Sequence, residues 1–295
     1  MAESAVAPRP RTGPRARAGG LSVNRWALLV LPGLVFLGVF FGYPLVRMGI
    51  RSFTDPSPAN YKIFVDTPVY ARTLARTFQT AFIVTAICLL LGYPYAYVMN
   101  QVKPRMAAVL GFLVLLPFWL SLLVRTYAWT VWLQDTGVIN TVLKDMGLID
   151  QPLALMRNTL GVTIGMTHIL LPFMVLPIYA VMRRIDPELT PAAASLGAPP
   201  FAAFRKVFLP LSLPGVFAGG LLVFVLSLGF YITPALLGSP SNQMISELIV
   251  DQVNEQLQFG IGSAIAMVLL GVTLVVLWAG TRFVRFQDVM GQWEE

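Results

Sequence analysis

At 295 residues, 56% hydrophobic and only 12% charged, with a mean hydropathy of +0.71, the chain lies far from soluble composition, in which charged residues make up about 25%. A water-soluble enzyme is excluded, and the formal charge of +7 does not mark a nucleic-acid binder, because Lys and Arg are spread among apolar stretches. One cysteine, Cys88 in "AFIVTAICLLL", excludes an internal disulfide and a thiolate metal cluster and reads as a small apolar filler.

In chain order, the opening "MAESAVAPRPRTGPRARAGG" is too rich in Pro, Gly and Arg to fold, so residues 1–25 are expected to form a disordered basic tail touching anionic lipid. The apolar run behind it is longer than a signal-peptide core, and no small-residue cleavage site follows, so it is expected to be an uncleaved anchor. Uncharged runs occupy residues 26–46, 77–102, 106–124, 158–182, 207–246 and 256–281, each long enough to cross a hydrocarbon layer about 30 Å thick. The fifth holds one helix followed by a non-helical outer segment, since "YITPALLGSPSNQ" is rich in helix breakers. The expected spans are therefore about 26–47, 74–101, 106–132, 157–182, 209–233 and 257–282, all within residues 26–286, with a short tail at 287–295. The fold class is an all-α membrane protein of six transmembrane helices.

Six spans place both termini on one side. The termini together with the second and fourth loops hold 13 of the 21 Lys and Arg residues, so these parts are expected to face the cytoplasm.

The fourth loop, residues 186–206, has a distinct chemistry. "DPELTPAAASLG" predicts a short helix begun near Pro187 or Pro191 and ended at Gly197, and "APPF" opens a second. Phe201, Phe204 and Phe208 then fall on one stripe flanked by Arg205 and Lys206, a wet apolar knob suited to a cleft on another protein.

At the outer end of span three, "PFWLSLLVRTYAWTVWLQD" carries Trp119, Arg125, Tyr127, Trp129, Trp132 and Asp135. The rings have two readings: an interfacial belt with a snorkelling Arg125, or an inward set holding an alkyl-ammonium chain by cation–π attraction of about 0.5 to 2 kcal/mol per contact. Asp135, Glu247, Asp251 and Glu255 are the charge partners under the second reading; the last three first fit a solvated amphipathic helix, with Glu247 and Asp251 on one face. In "GFYITPALLGSP", Tyr231 and Pro234 mark the outer end of span five, where Pro234 is expected to end or kink the helix and build an outer gate. Other prolines, Pro32, Pro94, Pro117, Pro172 and Pro177, are read as simple kinks, and His168 as a buried, hydrogen-bonded side chain instead of a proton relay. No phosphate-cradling G-x-x-x-x-G-K-[ST] occurs, nor any nucleophile–base pair or metal-ligand cluster, so a membrane enzyme is not indicated.

The spacing Ala192-Ala193, Gly197, Val207, Leu209-Pro210 resembles the EAA loop of ATP-binding-cassette (type I) importer permeases, with Val207 where Ile is usual and Pro191 where Glu is usual. "VRTYAWTVWLQDTGVIN" and "GFYITPALLG" are similar to the spermidine/putrescine (polyamine) branch of that family. The resemblance implies that residues 186–206 are a coupling loop docking into an ATPase subunit through Glu188, Ala192, Ala193, Gly197, Phe201, Phe204, Arg205, Val207, Leu209 and Pro210. It also implies that the cofactors, ATP and Mg, belong to partner chains. The implied partners are two ATPase subunits, a second, heterologous six-span permease and an extracytoplasmic solute-binding protein, in the bacterial inner membrane. The implied cargo is spermidine or putrescine, with opines, aminobutyrate or aminophosphonates as the alternative. An ion-coupled secondary transporter wants intramembrane carboxylates, and every Asp and Glu lies outside the uncharged runs.

Overall fold

The computed structural model describes residues 27–290, with side chains described for residues 30–282. The tail of residues 1–25 and the last five residues lie outside the described residues. Among those described, regular structure is entirely helical.

Two compact units divide after Arg47. The first holds α1 (Ala27–Leu37), a π-turn at Gly38–Gly42 and the beginning of α2 (Tyr43–Thr54). Its apolar side chains from Val30 to Phe41 are exposed, the composition of a lipid-facing helix.

The second unit opens with a polar knot at the end of α2. The Ser52 hydroxyl donates to Gly49 O at 2.6 Å and meets Tyr61 Oη at 2.8 Å, while Asn60 Nδ2 donates to the carbonyls of Ser52 (3.0 Å) and Asp55 (2.8 Å). After α3 (Ile63–Asp66), α4 runs Pro68–Gln101, six residues earlier than expected. Pro68 occupies the first helical turn, where its fixed φ suits the helix and its missing N–H costs nothing. Helix α4 thus continues past Arg72 and Arg76: charge marks where the apolar run ends, not where the helix does.

Span three departs most from the sequence reading. Helix α5 (Pro104–Leu115) gives way to a 3₁₀ turn at Leu116–Trp119 around Pro117, Leu120 is extended, and the chain re-enters helix as α6 (Leu122–Leu133) and α7 (Val138–Asp145). The segment Leu122–Asp145 turns 94° from Pro104–Trp119. Pro117 is therefore a break, not a kink, and 106–132 is not one straight helix. Five helices are long and apolar enough to cross a membrane, or six if this bent pair counts as one.

Helix α8 (Thr159–Met182) starts where Asn158 Oδ1 accepts from Gly161 N at 2.9 Å. Next come α9 (Leu189–Ser195), α10 (Pro200–Ala203), a π-turn at Phe204–Phe208 and α11 (Leu209–Leu228). The stretch Pro200–Leu228 is one helical run of 29 residues. The second of the two expected short helices is therefore the opening of span five, which moves from 209–233 to 200–228. No Gly or Pro interrupts residues 201–209, and the widened turn, in which Leu209 N–H bonds to Phe204 O, accommodates Pro210.

Beyond α11 the chain forms α12 (Ile232–Leu237), α13 (Ile245–Val250), a π-turn at Asp251–Glu255 and α14 (Phe259–Met290). The outer segment expected to be non-helical is thus largely short helices. Pro234 does not end span five: that helix stops at Leu228, before Gly229, and Pro234 lies in the first turn of α12, where its missing N–H is tolerated.

Helices α4, α8 and α11 form the core, around Cys88, Met166, Leu170, Met174, Ile178 and Val223. Small residues let α11 approach α8: a Cβ on Gly215 would lie 2.9 Å from Ile178 Cα, and one on Gly219 would lie 3.0 Å from Met174 O. A smaller cluster of Ile245, Leu248 and Ile265 joins α13 to α14, with Tyr70 and Leu74 of α4 against it.

Candidate functional site

Two regions carry the residues singled out from sequence. The first is the α8–α11 connection. Asp186 Oδ1 accepts from Glu188 N at 2.9 Å and turns the chain into α9. The helix ends at Gly197, φ +85°, where Gly197 N bonds to Ala194 O (2.9 Å) and Ala198 N to Ala193 O (3.1 Å). This pair of bonds is a Schellman cap, and the left-handed φ is why glycine is needed there. Glu188, Ala192, Arg205 and Pro210 are exposed, Ala193 and Val207 are half-buried, and Leu196 and Phe201 are 90% and 73% exposed.

Phe204 and Phe208 do not share the wet face with Phe201. The π-turn stacks them on each other at 5.9 Å, and both meet the edge of Tyr97 on α4, at 5.5 and 5.3 Å. The expected single aromatic stripe is therefore divided, because the wider turn rotates Phe208 into the core. A cavity of about 570 Å³ opens between α9 and the ends of α4 and α8, lined by Asn100, Arg183, Asp186 and Thr190 among others, so α9 stands clear of the helices beneath it.

The second region surrounds α6. Trp129 Nε1 donates to His168 Nδ1 at 3.2 Å, which gives the imidazole the hydrogen bond its sequence context suggested. Trp129 and Trp132 meet edge to face at 6.2 Å, and the Arg125 guanidinium lies 5.9 Å from the Phe118 ring centroid. Together Leu120, Val124, Arg125, Ala128, Trp129, Trp132 and His168 line a cavity of about 270 Å³. Trp119 and Tyr127 are not in it: they are 70% and 67% exposed, and Trp119 lies against Phe112. Asp135 is exposed beyond the end of α6. Thr126 Oγ1 and Thr233 Oγ1, 3.3 Å apart, tie α6 to α12, with Pro234 buried beside them and Tyr231 exposed.

Glu247 and Asp251 do not form a solvated face. Glu247 is 9% exposed and its Oε1 accepts from Met244 N at 2.8 Å, while Asp251 accepts from Gln243 Nε2. Burial first, and neighbouring Asp251 to a lesser degree, raise the Glu247 carboxyl to about 7 against the lowering effect of the Met244 N–H. Glu255 alone of the three is exposed. Sequence reasoning missed Thr77, whose Oγ1 accepts from Ile245 N at 2.9 Å, and Arg76, which donates to Ser241 O. Nothing local in the sequence signals these contacts across about 170 residues.

Residues 29–287 match the family described as binding-protein-dependent transport system inner membrane component. The chain belongs to that family. This permease is 35% identical over 259 residues to the spermidine/putrescine transport system permease protein PotB of Haemophilus influenzae, covering 88% of each chain. It is 34% identical over 272 residues to PotB of Escherichia coli strain K12, covering 90% of this chain and 97% of that one. In fold it resembles a chain of the bacterial alginate ABC transporter crystallised with its alginate pentasaccharide-bound periplasmic protein, with TM-score 0.70, 18% identity, and 88% and 94% of the two chains covered. The permease is a membrane-embedded transport subunit, which accords with long apolar helices on which many large hydrophobic side chains are exposed.

Proposed function

We propose that the chain forms one wall of the translocation pathway of an ATP-driven importer for polyamine-type cations, spermidine or putrescine, delivered by a solute-binding protein. Its partners are a second, heterologous six-span permease and two ATPase subunits that hold ATP and Mg. Both termini face the cytoplasm of a bacterial inner membrane. The observation that carries the cargo reading is the identity with spermidine/putrescine permeases across about nine-tenths of this chain.

The coupling role is assigned to α9 and its Gly197 cap. A seven-residue helix standing over a cavity, with Leu196 exposed at its end and Phe201 exposed on the next helix, is the part most available to an ATPase subunit. Tyr97, Phe204 and Phe208 tie that region to α4 and α11, so motion of α9 is passed to long helices as a rigid-body change.

The test is uptake of radiolabelled spermidine and putrescine by a strain lacking its own polyamine importers and supplied with this permease and its partner genes. Uptake that requires the permease and intact ATPase subunits supports the reading, and absence of uptake overturns it. Arg125 favours a second cargo class, amines that also carry an acid group, such as opines, aminobutyrate or aminophosphonates. Under that reading such compounds, and not polyamines, compete with label.

A further inference from the structure

The cavity between α6 and α8 carries one charged side chain, Arg125, and its hydrogen-bonding groups do not balance. Arg125 Nε is buried without a hydrogen-bond partner, and no ion pair reaches the guanidinium among the described residues. Its nearest compensation is the Phe118 ring at 5.9 Å. The other polar group, His168, accepts the Trp129 indole proton at Nδ1, so the neutral ring carries its own proton on Nε2. The cavity thus holds donors and positive charge, and it opens on a face where Leu120, Val124 and Trp132 are half or more exposed.

Lipid tails are a poor cover for such a face, since a guanidinium held among apolar side chains is costly unless paired. A snorkelling Arg extends its head to water; here part of the head is buried instead. A protein surface bearing a carboxylate meets both needs at once, covering the apolar rim and pairing the charge, bidentately in the best geometry.

We infer that this face of α6 is a contact surface for the second permease subunit, and that a carboxylate of that subunit enters the cavity and pairs with Arg125. The inference rests on the reading of this chain as one of two walls. A second copy of this chain is the other conceivable source of the carboxylate; in it Glu247 and Asp251 are already hydrogen-bonded, which leaves exposed acids such as Asp135, and the test below separates a second copy from the second permease.

The test uses the assembled importer in nanodiscs, with p-benzoylphenylalanine placed at Val124 and activated by light. The expected product is an adduct with the second permease, mapped by mass spectrometry to a peptide containing Asp or Glu. In uptake assays Arg125→Glu is expected to lose about tenfold or more, and exchanging the mapped acid for Arg in the same complex is expected to restore most of it. The Val124 variant leaves the guanidinium in place, so its readout does not depend on how Arg125→Glu folds. Adducts on lipid, on cargo, on the solute-binding protein or on a second copy overturn the inference, as does an absent adduct or a charge exchange without rescue. None of these outcomes bears on whether polyamines are imported, which the uptake assay decides alone.

Discussion

Trp129 donates its indole proton to Nδ1 of His168 across 3.2 Å, and this is the polar link between the reoriented helix α6 and the central helix α8. The bond fixes the tautomer of the only histidine in the chain and holds one aromatic wall of the α6 cavity upright.

Removing the donor and removing the ring should therefore have different effects. Trp129→Phe is expected to lower stability by about 1 kcal/mol, the worth of one hydrogen bond. Trp129→Ala is expected to cost about 3 kcal/mol, because the ring's packing is lost as well. Thermal melting of the purified assembly checks both: no loss in Trp129→Phe would show that the hydrogen bond contributes nothing, and equal losses in the two variants would show that the ring's packing contributes nothing beyond it.

Gly197 sits at φ +85° with open space where a side chain would go, so backbone conformation and not crowding selects glycine. Gly197→Asn, which tolerates the left-handed region, is expected to retain much of wild-type uptake; Gly197→Val is expected to lose most of it. Binding-protein affinity, measured separately by calorimetry, should be unchanged in both. Equal uptake by the two variants would remove the cap from the mechanism.

Glu247 has a pH signature. Its carboxyl is raised by burial to about 7 in the folded chain, from 4.5, so the folded state binds the proton more tightly than the unfolded state. Stability attributable to Glu247 is therefore greatest below about pH 4.5 and falls as pH rises toward 7, after which the penalty for a buried charge is fully present. Glu247→Gln should flatten that part of a melting-temperature profile, and an unchanged profile would place the titration elsewhere.

At Gly215 even a methyl group meets backbone, 2.9 Å from Ile178 Cα and 3.0 Å from Pro177 O. Gly215→Ala is expected to cost about 1 to 3 kcal/mol by forcing α11 off α8. The check is the yield and melting temperature of the purified complex, with Gly271→Ala on α14, where a Cβ meets nothing within 4 Å, as the matched control.

Much of the fold was legible because lipid imposes a simple rule: long uncharged runs become long helices, and α8 in particular begins within two residues of the expected start and ends where expected. The Gly197 stop was legible for an equally local reason, the rarity of left-handed backbone outside glycine. Pro117 was not, since Pro94 and Pro172 lie in similar apolar runs and their helices continue. What distinguishes them is tertiary: α4 and α8 are held straight in the core on several sides, while the chain around Pro117 turns to lay α6 against α12. Burial of Glu247 was illegible for the same reason. Its helix is anchored by Ile245 N to Thr77 of α4 and by Ser246 Oγ to Phe230 O after α11, while its own neighbours in sequence are spaced as on a wet helix.

Because α10, the π-turn and α11 form one rod of 29 residues, about 43 Å long, with Gly215 pressed against α8 close to its midpoint, the rod is built like an oar in a rowlock. A tilt of about 5° at the Pro200 end carries the Leu228 end about 2 Å the opposite way. Under the proposed coupling, a sub-nanometre stroke at the Pro200 end would reach the short helices that follow Leu228 reversed in direction and undiminished in size.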